Sequence, residues 1–163
     1  MRNEEFERLY AEHAQPLLGF LVYRVGDPVL AEDLLADTFE RVLTARRPFD
    51  RRRASEKTWL YTIALNLVRD HARRTAAGQR AVDRVIAGEQ ERAGPSELDA
   101  VAERDAVQRA LQGLSSEERE VIALRYGADL TVPEIARLTR QKLTTVEGRV
   151  YRALRKLHGE LEP

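Results

Sequence analysis

Apolar residues recur three and four positions apart along most of the chain, and β-branched residues rarely alternate, so the pattern predicts helices throughout and no strand. Phe6, Leu9, Tyr10 and His13, followed by Leu17, Leu18 and Leu21, form a first stripe. Pro16 within it marks either a kink or the first turn of a second helix. Gly26-Asp27-Pro28 then stops and restarts the chain: Asp27 can cap the next helix, and Pro28 sits where a missing N–H does no harm. Ala31, Leu34, Leu35, Thr38, Phe39 and Val42 repeat at helical spacing and predict a buried face. Glu32, Asp33, Asp37 and Glu40 are left outside as an acidic row.

Beyond a loop from Arg46 to Arg53, rich in arginine and holding Pro48, an amphipathic helix is predicted from about Glu56 to Arg74. Trp59, Leu60, Ile63, Leu67 and His71 share one face, where Trp59 is expected in the core, with stacking on a base as the alternative. Thr62, Asn66, Arg69, Asp70 and Arg73 align hydrogen-bonding groups on the other. Residues 76–96, rich in Ala, Gly, Arg and Glu and closing on Gly94-Pro95-Ser96, read as a linker with room for some helix. It separates a first unit, 1–75, from a second, 97–163.

In the second unit Leu98, Val101, Ala102, Val107 and Leu111 outline a helix that starts at Ser96 and ends at Gly113. Ser115-Ser116-Glu117-Glu118 is a capping box, Val121, Ile122 and Leu124 are expected inside, and Gly127 is expected to take a left-handed stop. Thr131-Val132-Pro133-Glu134 is a second box, opening a helix that buries Ile135, Ala136 and Leu138. After a short break the last helix runs from Leu143 or Thr144 to Leu161. It carries Val146, Val150, Leu154, Leu157 and Leu161 on one side and Arg149, Arg152, Arg155 and Lys156 near the other. A short helix, a tight turn and a longer basic helix make the helix-turn-helix layout. The expected fold is therefore all-α: two small helical bundles joined by a flexible linker, the second a helix-turn-helix of winged-helix type without a wing.

Charge changes this picture more than composition does. The 163 residues hold 27 basic and 27 acidic side chains, a formal net charge of zero. The signs are segregated: 6 basic and 10 acidic residues in 1–50, 8 and 2 in 51–80, 4 and 9 in 81–118, 9 and 6 in 119–163. A polyanion responds to charge within about 8–10 Å, so two basic islands matter to it although the total cancels. Duplex DNA needs a rigid helix that enters the major groove with basic groups flanking the residues that reach base edges, and the last helix meets that description. The absence of cysteine excludes disulfides and thiolate chemistry. The longest apolar stretch, about seven residues, is far below a membrane span. Met1-Arg2-Asn3-Glu4-Glu5 lacks the apolar core of a secretory signal, so a cytoplasmic location without membrane insertion is expected. His13, His71 and His158 form no metal-ligand pair at helical spacing, and there is no phosphate loop, nucleophile elbow or carboxylate constellation. No catalytic residue, metal site, cofactor or enzyme activity is expected.

The run from Ala31 to Phe39, the segment from Thr58 to Arg74, the stretch from Leu114 to Arg125, and Glu134-Ile135-Ala136 with Thr145-Val146 and Arg149 resemble bacterial RNA polymerase sigma factors of the sigma-70 family. More narrowly, the chain is similar to the extracytoplasmic-function group, which keeps only the second and fourth conserved regions. The resemblance implies that Glu32, Asp33, Asp37 and Glu40 dock on the clamp helices of core RNA polymerase. It places Asn66, Arg69, Asp70, Arg73 and Arg74 in the segment that reads the minus-ten element of promoter DNA. Arg51, Arg52 and Arg53 then belong to a loop, Asp50 to Lys57, that receives a flipped base and holds displaced-strand phosphates. It assigns Thr144, Thr145, Glu147, Gly148, Arg149, Tyr151, Arg152 and Arg155 to the minus-thirty-five element, with Arg149 and Arg155 toward phosphates. Arg119 and Arg125 would touch backbone or the polymerase flap. An anti-sigma factor is implied as a further partner.

Four positions depart from the family pattern. Arg140 and Lys142 stand where a glycine turn and a serine cap are usual, and Glu147 where a basic residue is. A non-glycine residue in a left-handed turn costs roughly 1 kcal/mol, so a remodelled turn is expected. Thr144 with Glu147 offers a substitute capping box; otherwise Glu147 faces the groove, where it could accept from cytosine. Ala36 replaces a glutamine common on the polymerase-binding helix. Two other readings remain: a sigma-like decoy that occupies an anti-sigma factor without binding promoters, and a dimeric helix-turn-helix repressor.

Overall fold

A computed structural model describes residues 1–45, 49–82 and 100–162. Among them the chain forms α1 (Asn3–Val25), α2 (Pro28–Thr44), α3 (Glu56–Val82), α4 (Ala100–Gln112), α5 (Ser116–Ile122), α6 (Val132–Thr139) and α7 (Leu143–Leu161), with a π-helical turn over Ala123–Gly127. The described residues contain no strand. Arg46, Arg47, Pro48, most of the expected linker and the helix start at Ser96 lie outside the described residues.

The first unit stands on α1, which runs unbroken through Pro16 instead of restarting there. A proline inside a helix costs about 3 kcal/mol, but Pro16 is on the exposed side, where water can take the carbonyl it leaves unpaired. Burial of Leu17, Phe20 and Leu21 in the following turn offsets the cost. Gly26, at φ 75°, closes α1 in the left-handed region. Asp27 caps α2 as its position predicts, accepting from the Val29 and Leu30 amides at 3.0 and 3.4 Å. α2 packs on α1 through Phe6, Tyr10 and Phe39, whose ring centroids lie 4.8–6.4 Å apart.

α3 continues to Val82, past the predicted end at Arg74. Thr75-Ala76-Ala77 has no breaker, and a lone Gly78 costs only about 1 kcal/mol. Its inner face is also rotated by about one residue from the prediction: Leu60, Tyr61, Ala64, Leu65, Leu67 and Val68 are buried, whereas Trp59, Ile63 and His71 are half-buried. Tyr61 takes the central place, edge-on to Phe20 with centroids 5.3 Å apart.

In the second unit the Ser115–Glu118 box forms reciprocally, at 3.0 and 3.1 Å. Glu118 also receives Lys156 of α7 at 2.8 and 3.0 Å, which ties α5 to the last helix. Lys156 first, then the Ser115 amide, hold this carboxyl below the usual carboxylate range. A depressed folded-state value contributes stability above the unfolded value and loses it as pH falls through the folded one. Glu118→Gln, which can still close the box, is thus expected to cost about 0.2–1 kcal/mol at neutral pH, the range for a partly exposed ion pair. The gap to wild type should narrow as pH falls through the folded-state value of Glu118 and vanish below it, where both side chains are uncharged. Urea midpoints across that range check it; a gap independent of pH would rule out the ionic contribution.

Gly127 does not take the left-handed stop. The chain instead widens into the π turn, where the Ala128 amide donates to Ala123 O at 2.9 Å, and Asp129 makes the reversal at φ 54°. The Thr131–Glu134 box opens α6 as predicted. Arg140 then sits at φ 55°, so the turn keeps its left-handed residue and bears the cost of a side chain there. α7 spans the predicted range, but only Val146 and Ala153 on it are buried. Leu154 and Leu161 are exposed along a groove of about 270 Å³ in the second unit, which Ile122, Tyr126 and, from the first unit, Tyr23 also line. The two bundles touch: Phe20 of α1 passes against Gly127, where an added Cβ would lie 3.5 Å from the Phe20 Cα, and one apolar core runs from Leu9 to Val146.

Candidate nucleic-acid interface

On α2 the buried set Ala31, Leu34, Thr38, Phe39 and Val42 fixes the rotation of the helix, with the Thr38 hydroxyl donating to Leu34 O at 2.6 Å. Glu32, Asp33, Asp37 and Glu40 consequently all face solvent. None has an ion-pair partner among the described residues, so the row keeps its negative charge.

The polar row of α3 divides in two. Asn66, Arg73 and Arg74 are exposed, and Arg73 lies 3.6 Å from Asp70. Arg69 does not join them: its Nη2 lies 2.8 Å from Glu120 Oε1 of the second unit. Arg51, Arg52 and Arg53 are exposed on a turn held by Asp50, whose carboxylate accepts from the Arg52 amide at 2.9 Å. Beside that turn, Arg8, Phe49, Arg51, Glu56 and Trp59 line a cavity of about 350 Å³. Trp59 is neither fully in the core nor free; it leans on Phe49 with centroids 5.4 Å apart. Arg8 grips both oxygens of Glu56, at 2.6 and 3.1 Å, and fixes the start of α3 against α1. This contact, led by the hydrogen bond from Arg8, holds Glu56 below the usual carboxylate range.

Glu12, His13 and Glu56 also converge, their nearest ligand atoms all within 4.8 Å. The sequence could not bring Glu56 to His13 because 43 positions separate them. Arg8 already engages both carboxylates, reaching Glu12 at 3.2 Å, so the donor set is occupied by a cation of the chain itself.

In the helix-turn-helix, Thr144, Glu147, Tyr151, Arg152 and Arg155 are exposed and Thr145 and Gly148 half-buried. The Thr144–Glu147 box does not form, because the helix cap falls two residues earlier, at Lys142, and without a side-chain hydrogen bond. Glu147 is left without a hydrogen bond among the described residues. Arg155 lies over the Tyr151 ring at 5.9 Å. Arg149 is committed inward, donating to Gln141 Oε1 at 2.6 Å and facing Glu117 at 3.3 Å. Arg119 likewise donates to backbone carbonyls of Leu111, Gln112 and Leu114, and Arg125 approaches Leu130 O and Asp129.

Sequence patterning missed Arg24 and Glu120. Glu120 stands between Arg69 at 2.8 Å and Arg24 at 3.7 Å, with little of either Arg24 or Glu120 exposed. Burial lowers the Arg24 pKa, Glu120 partly opposes this, and Arg119 and Arg69 add repulsion. Arg24 Nη2 also donates to Ser116 Oγ at 3.2 Å, but its Nε is buried without a partner.

Two family profiles match the chain: Sigma-70 region 2 over residues 9–78 and Sigma-70, region 4 over residues 104–157. The ECF RNA polymerase sigma factor SigX of Bacillus subtilis is 33% identical over 172 residues, covering 98% of this chain and 86% of SigX. The ECF RNA polymerase sigma factor BldN of Streptomyces coelicolor is 30% identical over 156 residues; the match takes in 94% of this chain but only 59% of BldN's length. Among solved structures, the sigma factor RpoE in its co-crystal with the anti-sigma factor NepR from Bartonella quintana superposes with a TM-score of 0.81, at 24% identity and 97% coverage of both chains. That likeness concerns the fold.

Proposed function

From the premise that this chain belongs to the ECF sigma factors of the sigma-70 family, which are transcription initiation factors and not enzymes, we propose that it binds core RNA polymerase and directs promoter recognition, strand opening and initiation. In this reading residues 1–75 form the polymerase- and minus-ten-binding unit, 76–96 the linker, and 97–163 the minus-thirty-five unit. The acidic row of α2 meets arginines of the polymerase clamp. Asn66, Arg73 and Arg74, with Arg51 to Arg53 on the adjoining turn, contact the opened strand. Unstacking a base costs a few kcal/mol, which base contacts beside phosphate-binding arginines can offset. Strand opening is then driven by tighter binding to the open form, with no nucleotide hydrolysis. Thr144, Glu147, Tyr151, Arg152 and Arg155 present the upstream-reading surface. Glu147, uncommitted as a cap, favours an acceptor role toward cytosine there. The protein works in the cytoplasm and is held by an anti-sigma factor.

The observation that carries the reading is the exposed Asn66, Arg73 and Arg74 on the rigid α3, in a unit whose neighbouring helix α2 exposes the acidic row Glu32, Asp33, Asp37 and Glu40. Transcription from genomic fragments by core polymerase plus this protein tests it. Specific transcripts are expected, and Asn66→Ala or Arg73→Ala should reduce open complexes about tenfold, since a base contact is worth about 1–3 kcal/mol, while polymerase association stays near wild type. One observation favours the decoy: Arg69 and Arg149 are both engaged by glutamates of the chain itself. Capture of an anti-sigma factor without polymerase association would establish that alternative.

A further inference from the structure

The turn between α6 and α7 carries charge that the promoter contacts assigned above leave unused. Arg140 closes α6 in the left-handed region, and the Gln141 amide donates to Ala136 O at 3.0 Å. Glycine takes that conformation freely, whereas a side chain takes it at a cost. Strained residues of this kind persist where the surroundings fix them, and they cluster at binding sites. Here the surroundings are clear. Gln141, half-buried, turns inward to α7, where its Oε1 accepts from Arg149 Nη1 at 2.6 Å. Arg140 and Lys142, on either side of it, are left exposed, as is Arg137 near the end of α6. None of these three cations has an ion pair or a side-chain hydrogen bond among the described residues. Two acids of the second unit are used elsewhere: Glu134 accepts from the Thr131 amide at 3.3 Å, and Glu117 lies 3.3 Å from Arg149.

We propose that Arg140 and Lys142 bind two phosphates of duplex DNA at the rim of the major groove, and that this contact accounts for a charged side chain where the backbone favours glycine. The contact rests on the preceding assignment of α7 to upstream promoter DNA and adds the backbone grip that seats it. A helix-turn-helix sends the start of its second helix to the base edges, so the residues just before that start lie beside the phosphates that border the groove. Lys142 directly precedes α7, and Thr144 and Glu147 follow on its exposed side. Arg149, which the family resemblance sends toward phosphate, is engaged by Gln141 and Glu117, and Arg140 and Lys142 replace the charge it withdraws. Glu147 increases the need, because a carboxylate on the reading face repels the phosphates beside it. Phosphate contacts position a protein on the duplex without reading sequence, so these two cations set affinity while Glu147, Tyr151 and Arg152 face the bases.

The test measures binding of the holoenzyme, core polymerase with the full chain, to genomic fragments from which the wild type initiates, over a range of salt. Arg140→Gly is expected to raise the urea midpoint of the chain and yet weaken fragment binding by roughly three- to fivefold, the share of one phosphate contact in non-specific affinity. The logarithmic salt slope should fall by about 0.9, and by about twice that when Lys142→Ser is added. The loss should be uniform across fragments of different sequence, whereas Arg152→Ala should weaken some fragments far more than others. Arg140→Asn also tolerates the left-handed turn; it should match Arg140→Gly and so separate lost charge from added flexibility. Arg140→Lys should keep the wild-type slope. Arg2→Gln, an equal charge change on an exposed residue at the other end of the chain, should leave binding unchanged. Wild-type affinity and slope in Arg140→Gly overturn the proposal, as does a loss confined to fragments of one sequence. A midpoint that does not rise removes the strain on which it stands. A wild-type chain that yields no transcript from any fragment overturns the sigma reading and this contact with it, a failure distinct from transcripts that persist while Arg140→Gly binds normally.

Discussion

Replacing Phe20 by alanine is expected to destabilise the protein by roughly 3–5 kcal/mol, the range for removing a buried phenylalanine. Its side chain is fully buried, meets Tyr61 edge-on, and passes behind Gly127, so the deletion removes contacts within the first unit and across to the second. The edge-on pair adds about 0.5–1.5 kcal/mol to the area term. Against a total stability of about 5–15 kcal/mol, such a loss leaves little margin at 37 °C. Urea unfolding followed by circular dichroism and by Trp59 fluorescence measures it. A loss below about 1.5 kcal/mol would mean that the site collapses around the smaller side chain and that the packing between α1 and α3 is not as tight as the geometry requires. Tyr61→Phe supplies the counterpart. The Tyr61 hydroxyl is buried without a partner, and burial pushes its pKa up to about 12. Removing it should leave stability unchanged or raise it by about 1 kcal/mol, since an unpaired buried donor costs that much.

Those two residues mark where the sequence stops being legible. α2 could be read almost completely, because Asp27, Pro28 and the buried set from Ala31 to Val42 all act within one helix. The Thr131–Glu134 box and the limits of α7 are local in the same sense. α3 was harder. Trp59-Ile63-Leu67 and Tyr61-Ala64-Leu65-Val68 are adjacent stripes on one helix, and only the position of α1, with Phe20 opposite Tyr61, decides which is central. The turn residues show a related limit. Gly127 offered itself as the left-handed stop, yet Asp129 and Arg140 take that conformation because the π turn and the α6–α7 junction fix where the chain must reverse. Exposure itself was legible from the periodicity, as at Asp33, Asp37, Asn66 and Arg73. Engagement was illegible where partners come from afar: Arg8 with Glu56 is a contact across 48 positions, and Arg69 with Glu120 across 51. No periodicity reports such pairs, and they decide whether an arginine is available or engaged.

Charge reversal at Asp33 should have the largest functional effect. Asp33 is exposed in the first half of α2, with Asp37 one turn on and Glu40 beyond it, and no basic side chain among the described residues neutralises the row. An arginine at position 33 would both remove an attraction and oppose a cation to the cationic surface this row is proposed to meet. Like charges juxtaposed across an interface cost several kcal/mol, so holoenzyme assembly should fall at least about thirtyfold. Because Asp33 faces solvent and packs in no core, folding should be unaffected within about 0.5 kcal/mol. Binding of the free chain to DNA should not weaken, and the added positive charge should strengthen it slightly at low salt. Glu40→Arg, nearer the end of the same row, should give a smaller loss in the same direction. Titrating labelled protein with core polymerase, beside the same titration with DNA, separates the two effects. Equal assembly by the Asp33→Arg protein would defeat the docking role of this face even if transcription is intact. Loss of assembly together with loss of DNA binding would instead point to a folding defect, which the urea midpoint would show. A selective loss of polymerase binding would divide the labour as the exposed charges suggest, with the acidic helix serving the enzyme and the arginines of α3 serving the strand.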